Sequence, residues 1–190
     1  MFFNNEQFVQ EVQRWENRLV TKCSICKGTG SIPTPNKVDK MCICKSTAIL
    51  NSNLVSWGIP RKYLTENWTW GNCDPQEFVK QCKKYADNFI DHYYNSRGLY
   101  LFGSQGRGKS TMEALIAKEI VAKINPDTKK HFRVAFVIYE EIIQLSHQAR
   151  VDNNAKYKYE KLIDAPDLLI LDNVGSETGL GNESKHTVKV

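Results

Sequence analysis

The 190-residue chain contains no apolar run of membrane-spanning length, no internal repeat and no low-complexity tract. The first absence excludes a membrane-spanning helix, which needs about 20 mostly apolar residues. The others leave an ordinary mixed sequence, neither a repeat array nor a biased linker. Charge of one sign is only mildly in excess: the net charge of +5 argues weakly for an acidic partner such as nucleic acid. The opening residues Met1-Phe2-Phe3-Asn4-Asn5-Glu6 carry neither a basic leader nor a small-residue cleavage site, which predicts a cytoplasmic address. What is present is 41% hydrophobic and 25% charged residues, the balance of a soluble globular protein with one α/β core and a small appendage. Much of the basic excess sits before Trp70, where Arg14, Arg18, Lys22, Lys27, Lys37, Lys40, Lys45, Arg61 and Lys62 face fewer acids.

Six cysteines in a reducing compartment point to metal or free thiols before disulfides. Cys23-Ser24-Ile25-Cys26 and Cys42-Ile43-Cys44 form a C-x₂-C and a C-x-C around a loop bearing Gly28, Gly30, Pro33 and Pro35. Two such pairs can close on one tetrahedral Zn²⁺, and four thiolates leave no open position for water, so the expected zinc is structural. The alternative is four unpaired thiols in a loop. Cys73 and Cys82 are isolated and read as buried or incidental.

Helical spacing of Phe8, Val12, Trp15 and Leu19 predicts an amphipathic helix over 5–20, docked on the knuckle or on another protein. Domain 1–47 is then this helix plus the four-cysteine zinc knuckle. A connector follows over 48–97, with a turn at Gly58 and Pro60 and a helix over 75–94. The remainder, 98–190, alternates strand and helix: a buried strand at 98–102, a helix at 109–124, a strand at 134–139, a helix through His147 and a strand Leu168-Leu169-Ile170-Leu171 ending on Asp172. That alternation implies a parallel sheet covered on both faces.

Within it, Gly103-Ser104-Gln105-Gly106-Arg107-Gly108-Lys109-Ser110-Thr111 spells G-x-x-x-x-G-K-[ST] between strand and helix, the context of a phosphate-binding P-loop. Glycines 103, 106 and 108 let successive N–H groups turn inward as an anion nest at the positive end of the next helix. Lys109 then reaches the β- and γ-phosphates of ATP and Ser110 holds Mg²⁺. Asp172, at the end of an apolar strand about sixty residues on, fits the second Mg²⁺-holding acid of such enzymes. Lys109 and Asp172 are therefore the expected catalytic pair. The next position is Asn173, an amide where many such ATPases carry a second acid. An amide orients water but accepts no proton, so assistance worth roughly 10²–10⁴-fold is expected to be lost unless Glu177 or another carboxylate substitutes.

The ordered set of cysteine knuckle, Gly58-Ile59-Pro60-Arg61-Lys62-Tyr63 connector, P-loop and Leu169-Ile170-Leu171-Asp172-Asn173-Val174-Gly175-Ser176-Glu177 resembles the DnaC/DnaI-type bacterial and phage helicase loaders. These are AAA+ ATPases of a branch that also includes IstB-like transposition helpers. The Cys23 to Gly30 segment also satisfies one copy of the C-x-x-C-x-G-x-G unit of DnaJ-type chaperones. The loader resemblance implies a three-layer AAA+ sheet, ATP binding, association with a replicative hexameric helicase, placement of that ring on single-stranded DNA, and homo-oligomer formation. Trp57, Arg61, Lys62, Trp68 and Trp70 are DNA-contact candidates by residue type, although tryptophans in a connector usually pack onto the domain behind them. The resemblance further implies a sensor-bearing strand between the P-loop and Asp172 strands, so a chain stopping at Val190 is expected to be incomplete. Direct pairing of 99–102 with 168–171 would instead favour a short protein of different topology. A transposition helper and a nucleotide-gated adaptor with little or no hydrolysis are the competing functional readings.

Overall fold

A computed structural model describes residues 5–35, 38–68 and 76–175. The chain opens with helix α1 (Asn5–Leu19), which carries Glu6 in its first turn and Arg18 in its last, a placement that complements the helix dipole. Trp15 on its apolar stripe is buried in the main core and Leu19 packs beside it. The expected amphipathic helix is therefore present, and its apolar face lies against this chain's own α2 (Ile43–Ser56) and core. Between these helices a two-residue hairpin, β1 (Ser31–Ile32) and β2 (Lys40–Met41), pairs antiparallel.

Helix α2 has no counterpart in the sequence reading, which divided 43–56 between knuckle and connector. Its cysteine, serine and asparagine content disguises a buried stripe of Ala48, Leu54 and Val55. Ser52 and Ser56 donate back to the carbonyls of Ala48 and Asn53, so their hydroxyls are satisfied inside the helix. Gly58, with φ near 98°, ends this segment, and Pro60 leads into a single 3₁₀ turn, Arg61–Tyr63. The helix expected over 75–94 is divided at Asn88 into α3 (Gln76–Asp87) and α4 (Phe89–Tyr94).

Helix α5 (Lys109–Val121) is the central post: Met112, Ala114, Leu115, Ile116, Ala117 and Ile120 are buried along it. Strand β3 (Val134–Ile138) leads into α6 (Tyr139–Gln148), and α7 (Asn153–Asp164) precedes strand β4 (Leu168–Asp172). Asp152 caps α7 by accepting from the Asn154 amide. Strands β3 and β4 pair in parallel from Val134 opposite Leu168 to Ile138 opposite Asp172.

The α/β class and the parallel pairing stand, but a complete three-layer sheet is not formed among the described residues. Residues 98–102, expected as a buried strand, belong to no strand; Leu99, Tyr100 and Phe102 are 43%, 74% and 80% exposed. The reason is the lack of a ladder partner. A cavity of about 360 Å³ lies between Gly98–Leu101 and Leu168–Val174. Neither segment pairs with the other, so the adjacent-strand topology is not adopted. On the far side of the sheet, the Phe136 amide of β3 donates to the Trp57 carbonyl at 2.8 Å, tying the end of α2 to the sheet. No helix among the described residues is long and apolar enough to cross a membrane.

Candidate functional site

The glycine loop starts at Gly103 and ends at Gly108, which caps α5 with φ near 82°. Gly106 shares this left-handed conformation at φ near 79°, a backbone setting glycine adopts without a Cβ clash. The loop side chains Ser104, Gln105 and Arg107 are exposed, whereas Thr111 is buried within the first turn of α5. The Lys109 ammonium folds back across the loop and donates to the Gly103 carbonyl at 2.8 Å and the Ser104 carbonyl at 3.0 Å. A phosphate oxygen in the loop would compete for those same N–H bonds.

Ser110, the next residue, donates its hydroxyl to Asp172 Oδ1 at 3.0 Å. This contact joins the start of α5 to the end of β4 across 62 positions of sequence. A serine hydroxyl and a carboxylate side by side form a hard-oxygen pair suited to Mg²⁺, and the loop amides above them suit phosphate. The Asn173 amide N–H also donates to Asp172 Oδ1, at 2.8 Å, and Asn173 itself is left-handed with φ near 62°. Glu177 and Ser176 lie outside the described residues, as do Trp70 and Cys73.

Sequence reasoning passed over Glu113. It stands one helical turn beyond Lys109 on α5 and lines the 360 Å³ cavity with Lys109, Asp172 and Asn173. Burial pushes its carboxyl up to about 8, reinforced by the charge and hydrogen bond of Asp172 and opposed by Lys109. Its Oε2 is buried with no partner among the described residues. The i, i+4 spacing from Lys109 is the only sequence signal that places it at this site.

A second constellation begins just after α1 and reaches the start of α2. The Sγ atoms of Cys23, Cys26, Cys42 and Cys44 all fall within 4.8 Å of one another. Cys23 and Cys42 approach to 3.8 Å and Cys26 and Cys44 to 3.5 Å. Tetrahedral zinc with Zn–S bonds of about 2.3 Å requires sulfur separations near ~3.8 Å, so the set fits the ion. The Gly30 amide donates to Cys26 Sγ at 3.2 Å, the outer-sphere bond such a thiolate accepts. Burial opposes the Cys26 thiolate, but the Gly30, Cys44 and Gly28 donors outweigh it and lower the thiol to about 6. Cys44 is raised to about 12 by burial and by the neighbouring cysteines. Four thiolates packed this closely would need a cation to balance their charge.

The connector candidates are largely occupied. Arg61 pairs with Glu11, Lys62 lies over the Tyr63 ring at 4.7 Å, and Trp68 donates its indole N–H to Glu119 at 3.1 Å. Trp57 packs against the β3, α6 and α7 cluster. Cys82 is buried, and its thiol is pushed up to about 11 by that burial. This chain matches no family model, no curated protein and no solved structure.

Proposed function

We propose that this chain is an ATP-binding helicase loader of the AAA+ type that helps place a replicative hexameric helicase on single-stranded DNA. The nucleotide half of the reading is carried by the 3.0 Å contact between Ser110 and Asp172 beneath the glycine loop. The loop amides and Lys109 would hold the phosphates, and Ser110 with Asp172 would hold Mg²⁺. The helicase half rests on the resemblance of the knuckle, connector and loop taken in order. The cysteine set would keep the N-terminal part folded around Zn²⁺.

Asn173 favours a nucleotide-gated adaptor within the same reading, in which ATP binding biases one assembly state and hydrolysis is slow. Native mass spectrometry of the full chain with Mg·ATP and a replicative helicase tests both halves together. The expected result is one zinc and one nucleotide per chain, and a helicase complex that forms with ATP. No saturable ATP uptake by folded protein defeats the nucleotide half; uptake without any helicase complex defeats the loader half. In Lys109→Ala, ATP affinity is expected to fall by about tenfold or more, the loss of a charge-assisted phosphate contact.

A further inference from the structure

Each half-buried cysteine of the cluster stands against a buried one. Cys23 approaches Cys42 at 3.8 Å and Cys44 approaches Cys26 at 3.5 Å; Cys23 and Cys44 are half-buried, whereas Cys26 and Cys42 are buried. Both contacts cross from the 23–26 half of the cluster to the 42–44 half, over 19 and 18 positions of sequence. Tetrahedral zinc needs only four sulfurs at suitable distances and does not ask that a reachable sulfur face a buried one across the halves. That arrangement suits oxidation, in which the outer sulfur meets the oxidant and the inner one resolves it.

We propose that the cluster is a peroxide-responsive staple, in which oxidation exchanges Zn²⁺ for two disulfides, Cys23–Cys42 and Cys26–Cys44. The exchange rests on the zinc reading above. At each pair the outer thiolate attacks hydrogen peroxide: an S–O bond forms, the O–O bond breaks and hydroxide leaves. The inner thiolate then attacks that sulfur: an S–S bond forms, the S–O bond breaks and a second hydroxide leaves. Two thiolates give up two electrons and one peroxide takes them, so the two pairs consume two peroxides. Disulfide sulfur carries no charge and is a poor zinc ligand, so the exchange releases the metal.

The cross pairing follows from the local backbone. Cys42 precedes α2 and Cys44 lies in its first turn, and side chains two positions apart on a helix do not face each other, which disfavours a Cys42–Cys44 bridge. The cross pairs need only close to the disulfide length of ~2.05 Å, a shift of about 1.5–1.8 Å. The β1–β2 hairpin and the 2.9 Å bond from the Cys42 amide to the Gly30 carbonyl hold the two halves side by side. The output is conformational. Zinc and the disulfides both fasten the segment after α1 to the start of α2, and the reduced, metal-free chain has neither. An oxidant that strips the metal therefore leaves this junction closed.

The test uses the full chain, purified reduced with Zn²⁺ and then treated with a slight excess of hydrogen peroxide. Released metal is followed with a chromogenic chelator, and bridges by mass spectrometry of a non-reduced tryptic digest. Cleavage after Lys22, Lys27, Lys40 and Lys45 puts Cys23 with Cys26 in one peptide and Cys42 with Cys44 in another. Cross pairing joins the two peptides; pairing within each half leaves them separate. Expected are about one zinc released per chain, a joined peptide whose fragments place Cys23 with Cys42 and Cys26 with Cys44, and zinc uptake restored by dithiol reduction. Cys44→Ser is expected to give Cys23–Cys42 alone, and the wild-type digest decides if that variant does not fold. Hydrogen exchange across 23–48 should rise by about tenfold or more in the reduced, chelated chain and stay near the zinc-loaded level in the oxidised one. A chain that holds no zinc at the outset defeats the zinc reading and the exchange together. Zinc retained under peroxide, separate half peptides, or sulfinic acids in place of bridges overturns the exchange and leaves the zinc reading standing.

Discussion

Glu11 illustrates how one buried carboxylate organises distant sequence. It is 3% exposed, accepts the Trp15 indole N–H at 3.0 Å from its own helix, and receives both Nε and a terminal nitrogen of Arg61 from 50 residues away. The Arg61 hydrogen bonds hold its carboxyl below the ordinary 4.5, against the opposing effect of burial. A carboxylate depressed in the folded state binds fewer protons there than when unfolded, so its stabilisation is present above 4.5 and is lost as pH falls through the lowered folded value. Glu11→Ala would also leave the buried indole N–H unpaired, at a cost of about 1–3 kcal/mol. Urea melts of wild type and variant should show that difference at about pH 7 and a shrinking one toward about pH 3; a difference independent of pH would remove the ionic account. Arg61 was legible only as a positive charge in a connector, because its partner lies in a helix whose polar face gives no sign of which residue is buried. Ser110 and Asp172, by contrast, were legible because the G-x-x-x-x-G-K-[ST] pattern and an apolar run ending in an acid mark both positions, and the structure brings them to 3.0 Å. The Asn173→Asp exchange belongs at this scale too: on the proposed ATP-binding reading, supplying a proton acceptor there is expected to raise steady-state ATP turnover by about tenfold or more, and an unchanged rate would remove Asn173 as the cause of slow hydrolysis.

Elements were readable where periodicity and punctuation agreed. Helix α1, helix α5 and strands β3 and β4 carry clean apolar patterns and lie within a few residues of expectation. Helix α2 was hidden because its start overlaps the cysteine cluster: Cys42 belongs to that cluster, is fully buried, and is also the residue before the helix, with its carbonyl accepting from the Lys45 and Ser46 amides. Its own amide donates to the Gly30 carbonyl at 2.9 Å, so the hairpin, the cysteine set and the helix start share one residue. Gly30 cannot easily gain a side chain, since a Cβ would stand 3.1 Å from Lys45 Cδ in a left-handed backbone with φ near 74°. Removing zinc by chelation, or substituting Cys26→Ser, should therefore raise hydrogen exchange across 23–48 and leave the amides of α5 protected. Uniform exchange throughout the chain, or a chain that holds no zinc when folded, would contradict this division of labour.

At the scale of the molecule, one buried cluster runs from Trp15 through Ala48, Leu54 and Cys82 to Met112, Leu115, Phe132 and Ile170. Helices α1, α2 and α5 are thus packed as one body, which the sequence could not state because long-range packing leaves no local pattern. Around it, among the described residues, a conspicuous apolar surface is left by the stacked rings of Tyr100 and Phe102, with centroids 6.2 Å apart, beside the open edge of β4. The shared core has a mechanical consequence. Trp15→Ala empties space next to the same cluster that supports α5, and a buried tryptophan truncated to alanine costs about 3–5 kcal/mol. If the cluster is one cooperative unit, that loss must appear at every probe. Far-ultraviolet circular dichroism, labelled-ATP binding and hydrogen exchange in α5 should therefore all report an earlier urea midpoint in Trp15→Ala, by the same amount. Midpoints that separate, with α1 melting early while α5 and nucleotide binding keep the wild-type value, would show instead that the N-terminal helix is an independently stable attachment and that the core divides behind it.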